Sequence, residues 1–132
     1  MPFNQKDRRQ SPRHDAYLEA RLDFSVLLRD PAPGKSEVQH LRACAGHTVN
    51  LSAQGLAVLL HAQNIDEEYL RGGQGSMAIE LDLPSGDSIE IHATPVRYEK
   101  RDDGYLIGAR ISEMSDRHRE LFNDYLRELA AQ

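Results

Sequence analysis

Two short patterns of polar residues have the types and spacing needed to hold an anionic ligand. The first is an R-x-x-x-R from Arg9 to Arg13 (RQSPR), and Arg8 directly precedes it. The planar guanidinium of arginine donates in a fork that matches phosphate oxygens and base edges, and its flat face can stack on a base. The second is an N-x-S-x-x-G from Asn50 to Gly55 (NLSAQG). Together they predict a site that combines arginine donors with a small polar turn.

The second pattern supplies small groups rather than charge. The side chain of Asn50 offers an acceptor for N–H groups, and Ser52 offers a compact hydroxyl. Gly55 has no side chain, so the backbone can turn sharply there and a ligand can approach closely. These residue types also form ordinary turns, and R-x-x-x-R alone has little weight because Arg97 and Arg101 repeat it. The prediction of a binding site therefore depends on both patterns occurring in this order.

Six apolar stretches separated by turn residues would position these patterns. They predict strands over 17–28, 38–49, 56–60, 76–83, 88–98 and 105–111. Apolar residues then recur at spacings of three and four, which predicts an amphipathic helix with Ser115 as its N-cap. The apolar face of this helix contains Leu121, Phe122, Tyr125, Leu126 and Leu129. Because short turns favour antiparallel pairing, we predict an all-β fold, a six-stranded antiparallel barrel with a C-terminal helix.

The chain divides into a basic arm and this barrel. Residues 1–14 are polar, are interrupted by Pro12 and carry four basic side chains against Asp7 alone. We expect this arm to be mobile until a ligand binds it, with the barrel and helix over 15–132. The whole chain has a net charge of -5. A basic arm on an acidic body favours a small anionic ligand over a long nucleic acid.

Other classes of protein find little support in the sequence. The single cysteine, Cys44, allows no intramolecular disulfide, no signal peptide or membrane-spanning run is present, and we expect a cytoplasmic protein without membrane insertion. Cys44 lies in a predicted strand, where a buried small residue is expected. The six histidines show no metal-ligand spacing, so we predict no metal site. No catalytic motif is found, so we predict no catalytic residues and no enzymatic activity.

In this order, with a strand pair between them, the two polar patterns resemble those of the PilZ family. The segment Tyr105–Ile111 (YLIGARI), followed by a helix, also looks like the end of a PilZ domain. The resemblance covers residues 8 to about 127 and implies a bacterial receptor for the second messenger cyclic di-GMP. It implies that Arg9 and Arg13 bind guanine and phosphate, and that Arg97, on a strand beside the pocket, approaches the ligand.

The resemblance also bears on affinity and stoichiometry. Many family members have Asp where this chain has Asn50, and the missing charge weakens a hydrogen bond. In the family, an arginine just before the R-x-x-x-R accompanies two bound molecules, and Arg8 stands at that position. The resemblance therefore implies two cyclic di-GMP molecules per chain and no other cofactor. It further implies signalling through an unidentified downstream protein, by a monomer or weak dimer whose arm becomes ordered on binding.

Two alternatives belong to other classes. A PilZ-like adaptor would bind no nucleotide and would act through protein contacts alone, but the intact motifs argue against it. A barrel that binds single-stranded nucleic acid would need aromatic platforms interleaved with basic residues. Aromatic residues make up only 6% of this chain and the predicted strands are acidic, so we expect no nucleic-acid partner.

Overall fold

The computed structural model describes residues 12–29, 36–62 and 76–132. The elements in chain order are β1 (His14–Asp15), β2 (Glu19–Arg29), β3 (Ser36–Leu51), β4 (Gly55–Leu60), β5 (Ser76–Asp82), β6 (Ser88–Arg101), β7 (Gly104–Glu113) and α1 (Asp116–Ala130). The six predicted strands and the C-terminal helix are confirmed. The two-residue strand β1 is an addition. It ends the predicted arm, whose residues 1–11 lie outside the described part of the chain, so the boundary at residue 14 stays a prediction.

The strands form one antiparallel sheet that closes on itself. Their order is β1-β3-β2-β5-β6-β7-β4, and a further pairing of β3 with β4 completes a six-stranded barrel. Closure pairs the strand edges that an open sheet would expose. The long strand β3 has β4 on one side, and on the other side it pairs first with β2 and then with β1. β3 therefore connects the N-terminal segment with the turn that follows Leu51.

The core follows from the alternation of apolar residues along each strand. In β5, Met77, Ile79 and Leu81 are fully buried, as the sequence predicts. Burial of such side chains supplies the main favourable term in folding. The helix contributes the fully buried Phe122, while its other apolar residues pack partly buried against the same core. Cys44 is half-buried against this core, and burial, followed by the charge of Asp23, raises the pKa of its thiol.

An irregularity in β3 changes which of its side chains face the core. Alternation from Leu41 predicts that Ala45 and His47 share one face of this strand, and the structure buries the opposite face, with Gly46 and Thr48 buried, Ala45 exposed and His47 half-buried. The register with β4 then shifts between Thr48 and Asn50, which returns Leu51 to the core. The buried hydroxyl of Thr48 donates to the carbonyl of Ala16 (2.6 Å) and accepts from the amide of Leu18 (2.9 Å). Thr48 thus fixes the chain between β1 and β2 beside β3.

The helix begins as the sequence predicts. Ser115 is its N-cap, and the side chain accepts a 3.1 Å hydrogen bond from the amide of His118. The helix packs against β6 and β1. Burial, followed by the nearby charge of Glu128, raises the pKa of Tyr125 on its inner side. Within the described ranges, no helix is both long and apolar enough to span a bilayer.

Candidate functional site

Strand β1 brings the two polar patterns into contact. His14 pairs with Leu51 and Asp15 pairs with Asn50, so the N-terminal segment runs antiparallel to the end of β3. Just before β1, Nη1 of Arg13 donates a 3.2 Å hydrogen bond to Oδ1 of Asn50. One arginine of the R-x-x-x-R therefore touches the first residue of the N-x-S-x-x-G. Arg8 and Arg9 lie outside the described residues, so their predicted roles remain predictions.

The rest of the second pattern forms a compact turn. The amide of Ser52 donates to the carbonyl of Gly55 (2.8 Å), and the Ser52 hydroxyl both donates to that carbonyl and accepts from the Gly55 amide (3.1 Å each). Ser52 is only 6% exposed, so its hydroxyl shapes the turn from within. At the turn's centre, the carbonyl of Ala53 accepts from Arg119 of α1 and that of Gln54 accepts from the amide of Ile111. The turn is thus closed by its own hydrogen bonds and held by α1 and β7.

Gly55 is needed for close strand packing rather than for an unusual backbone angle. Among the described glycines, positive φ occurs only at Gly86 and Gly104. A Cβ placed on Gly55 would lie 2.8 Å from the carbonyl oxygen of Ala109 on β7. The expected sharp turn is therefore made by Ser52, and Gly55 lets β4 approach β7.

Strand register places two of the predicted site residues, Asn50 and Arg97, in one line across the outer side of the barrel. Asp15 pairs with Asn50, Asn50 with Ala57, Ala57 with Gly108, and Gly108 with Arg97. We call these five residues the cross-strand row. Their chain neighbours Leu56, Val58, Ile107 and Ala109 belong to the core cluster, so the row faces away from the core. Arg97, remote from Asn50 in sequence, is thereby aligned with it across strands spaced about 4.8 Å apart.

The middle of the cross-strand row is a floor of small residues. A Cβ on Gly108 would lie 2.9 Å from Nε and 3.0 Å from Cγ of Arg97, so the Arg97 side chain lies directly across the glycine. Arg13 approaches the row at its other end, through Asn50. Exposed Arg110 also pairs with Gly55 next to the row. Since Arg97 covers Gly108 and Ala57 is only 5% exposed, an anionic ligand here would contact the guanidinium groups near the two ends of the row rather than its small residues.

An aromatic cluster lies next to the cross-strand row, and sequence reasoning missed it. The ring of Tyr17 stacks on that of His47, with centroids 4.3 Å apart and planes at 24°. Nδ1 of His47 is 2.9 Å from Nε2 of His61. Burial, and then the neighbouring His61, lower the pKa of His47. Tyr17, His47 and His61 are distant in sequence and are brought together by the strands next to β3. No local sequence pattern could therefore have revealed the cluster. In the described ranges, no group of three or more potential metal ligands forms a metal site.

Comparisons with known proteins give the family and agree with the observed fold. A family model described as "PilZ domain" matches residues 7–128. The structure is similar to that of the Bacillus subtilis inhibitor of motility (MotI/DgrA), with a TM-score of 0.64 and 22% identity over 100% of this chain and 58% of that one. The chain thus spans less than two thirds of that protein. It is also similar to the PilZ domain with c-di-GMP of YcgR from Escherichia coli, with a TM-score of 0.62 and 15% identity over 95% and 93% of the two chains. No curated protein matches the sequence.

Proposed function

The chain belongs to the PilZ domain family, and from this premise we propose that it is a receptor for cyclic di-GMP that binds the dinucleotide on the cross-strand row. The observation that carries the proposal is the hydrogen bond between Arg13 and Asn50, which joins the two ligand-binding patterns at one place. The similar domain of YcgR holds c-di-GMP, which is in keeping with this use of the fold.

The chemistry of the site fits the two guanines and two phosphates of the ligand. Arg9 and Arg13 donate to phosphate oxygens or to the O6/N7 edge of guanine. Asn50 accepts from guanine N–H groups through Oδ1, the oxygen that accepts from Arg13 in this structure. Ser52 and Gly55 set the shape of the turn, and Arg97 offers its flat guanidinium over Gly108 for stacking or phosphate contact.

We further propose that the protein acts by signalling rather than by catalysis. Ligand binding draws the part of the basic arm that precedes Arg13 against the barrel, and the altered surface is read by a partner protein in the cytoplasm. The hydrogen bond from Arg119 to Ala53 supports a route from the binding turn to α1. Arg8 adds a third guanidinium, which favours two bound molecules per chain, since two ligands carry twice the phosphate charge.

Titration calorimetry with cyclic di-GMP, GTP and a short RNA tests the proposal. We expect heat of binding with cyclic di-GMP alone. Arg13→Ala should weaken binding by about 1–3 kcal/mol, because a bidentate contact is lost. Arg127→Ala is the matched control, because this exposed arginine of α1 pairs with Asp124 and lies outside the cross-strand row. Absence of binding to any nucleotide would instead favour an adaptor that works through protein contacts.

A further inference from the structure

We propose that a shallow pocket beside the cross-strand row, formed around Asp15, Tyr17 and His47, binds one guanine base of the cyclic dinucleotide. The inference rests on the proposed function and adds to it the residues that select the base. The pocket has a volume of about 390 Å³ and is lined by Asp15, Ala16, Tyr17, His47, Thr48 and Val49. This size lies within the range of about 300–1,000 Å³ that is usual for small-molecule sites.

The backbone holds the pocket residues in place. From Arg13 to Tyr17 the chain runs beside β3, and the amide of Ala16 donates to the carbonyl of Val49 (3.1 Å). Asp15 and Tyr17 are exposed, while Ala16 between them is half-buried and Leu18 is buried. This alternation presents a carboxylate and then an aromatic ring on the outer side of the chain. The site for a base is thus built on paired backbone next to the Arg13–Asn50 contact.

Tyr17 has the placement of a stacking platform. It is 65% exposed, yet its ring is held against His47, which in turn contacts His61. Three large apolar or aromatic side chains are exposed in the described ranges, and two of them, Tyr17 and Val49, line this pocket. An exposed ring with a fixed orientation gives up little conformational entropy when a base stacks on it. This explains why the protein keeps an aromatic surface open to solvent at this point.

Asp15 supplies selectivity for guanine. The Watson–Crick edge of guanine carries two adjacent donors, N1–H and the N2 amino group, and an ionised carboxylate accepts both. Adenine presents an unprotonated N1 acceptor there, which the carboxylate would repel. Asp15 pairs with Asn50 across β1 and β3, so a base on Tyr17 lies next to the arginine that binds phosphate. Base and phosphate contacts therefore adjoin one another.

Two quantities test the pocket: the affinity for cyclic di-GMP, and the ratio of that affinity to the affinity for cyclic di-IMP, which lacks the two N2 amino groups. We expect Tyr17→Ala to weaken cyclic di-GMP binding about tenfold. Tyr17→Phe should leave that affinity within about twofold of the native value, because the phenyl ring still stacks. The native protein should prefer cyclic di-GMP to cyclic di-IMP by about tenfold, and Asp15→Ala should lower that ratio several-fold, with the remainder due to Asn50. Glu80→Gln is the charge-matched control on β5, across the barrel from β4. Glu80→Gln should keep the native ratio of the affinities for cyclic di-GMP and cyclic di-IMP.

Thermal melts establish that each variant folds, which is expected because Asp15 and Tyr17 are both exposed. Native affinity in Tyr17→Ala, or a native ratio in Asp15→Ala, overturns the pocket assignment. If Arg13→Ala abolishes binding while these variants bind normally, the receptor function stands and only the pocket fails. If the native protein binds neither dinucleotide, both proposals fail.

Discussion

The guanidinium of Arg119 on α1 donates a 2.8 Å hydrogen bond to the carbonyl oxygen of Ala53, at the centre of the turn between β3 and β4. This turn follows Asn50 and is closed by Ser52 and Gly55. The C-terminal helix is therefore tied to the segment that we propose binds the ligand. A movement of the turn on binding would reach the helix through this bond, since the same bond cannot be kept if only one partner moves.

Arg119→Ala should lower the free energy of unfolding by about 1.5–3 kcal/mol, because a partly buried charge-assisted hydrogen bond is lost. It should also weaken the proposed ligand binding a few-fold, since the turn loses one of its supports. Urea unfolding and calorimetry measure the two effects. Arg117→Ala, an exposed arginine on the same helix, should change neither quantity. Equal behaviour of the two variants would contradict a supporting role for Arg119.

Gly108→Ala tests the floor of the cross-strand row. The added Cβ would lie 2.9 Å from Nε of Arg97, and the flexible side chain can move away to relieve the contact. We expect the melting temperature to change little and binding to weaken about as much as in Arg97→Ala. If the losses of binding free energy in Gly108→Ala and Arg97→Ala add up in the variant that carries both changes, Gly108 does not act by positioning Arg97.

Gly55→Ala should lower stability, in contrast to Gly108→Ala. Its Cβ would lie 2.8 Å from a backbone carbonyl, that of Ala109, and the backbone of a paired strand cannot swing aside. We expect a loss of about 1–3 kcal/mol in the free energy of unfolding, as for other overpacked sites. Chemical denaturation measures this loss. Unchanged stability would show that β4 and β7 separate easily at this point.

Stability should fall in mild acid because of His47. Burial and His61 lower the pKa of His47 below its ordinary value of 6.5, so near and below that pH the unfolded chain binds more protons than the folded one. The stabilisation is complete above pH 6.5 and is lost as the pH falls through the lowered pKa. Unfolding curves between pH 8 and pH 5 should show this decline, and His47→Gln should flatten it. If His47→Gln keeps the native dependence of stability on pH, groups other than His47 cause the decline.

Arg8→Leu should reduce the number of bound cyclic di-GMP molecules from two per chain to one. The change removes a guanidinium that would stack on a guanine or hold a phosphate of the second ligand. Calorimetry gives the stoichiometry directly, and Lys6→Leu is a control that removes a positive charge from the same arm. Saturation of the native protein at one ligand per chain would refute this prediction and leave the receptor proposal intact.

Much of the fold could be predicted because its signals are local. The alternation that buries Met77, Ile79 and Leu81 defines a strand wherever that strand pairs. The N-cap at Ser115 depends only on the residues of the first helical turn. The family resemblance likewise rests on two contiguous patterns, and both their order and their spacing can be read directly from the chain.

Tertiary structure alone decided how these local units face one another. The register of four strand pairs aligns Asp15 with Arg97, and the irregularity after Thr48 determines which residues of β3 reach the surface beside Asn50. The stacking of Tyr17 on His47 likewise depends on pairing between segments distant in sequence. A shift of one residue in any pairing would send the side chains to the opposite face of the barrel. That register depends on packing of the whole core, so it cannot be read from either strand alone.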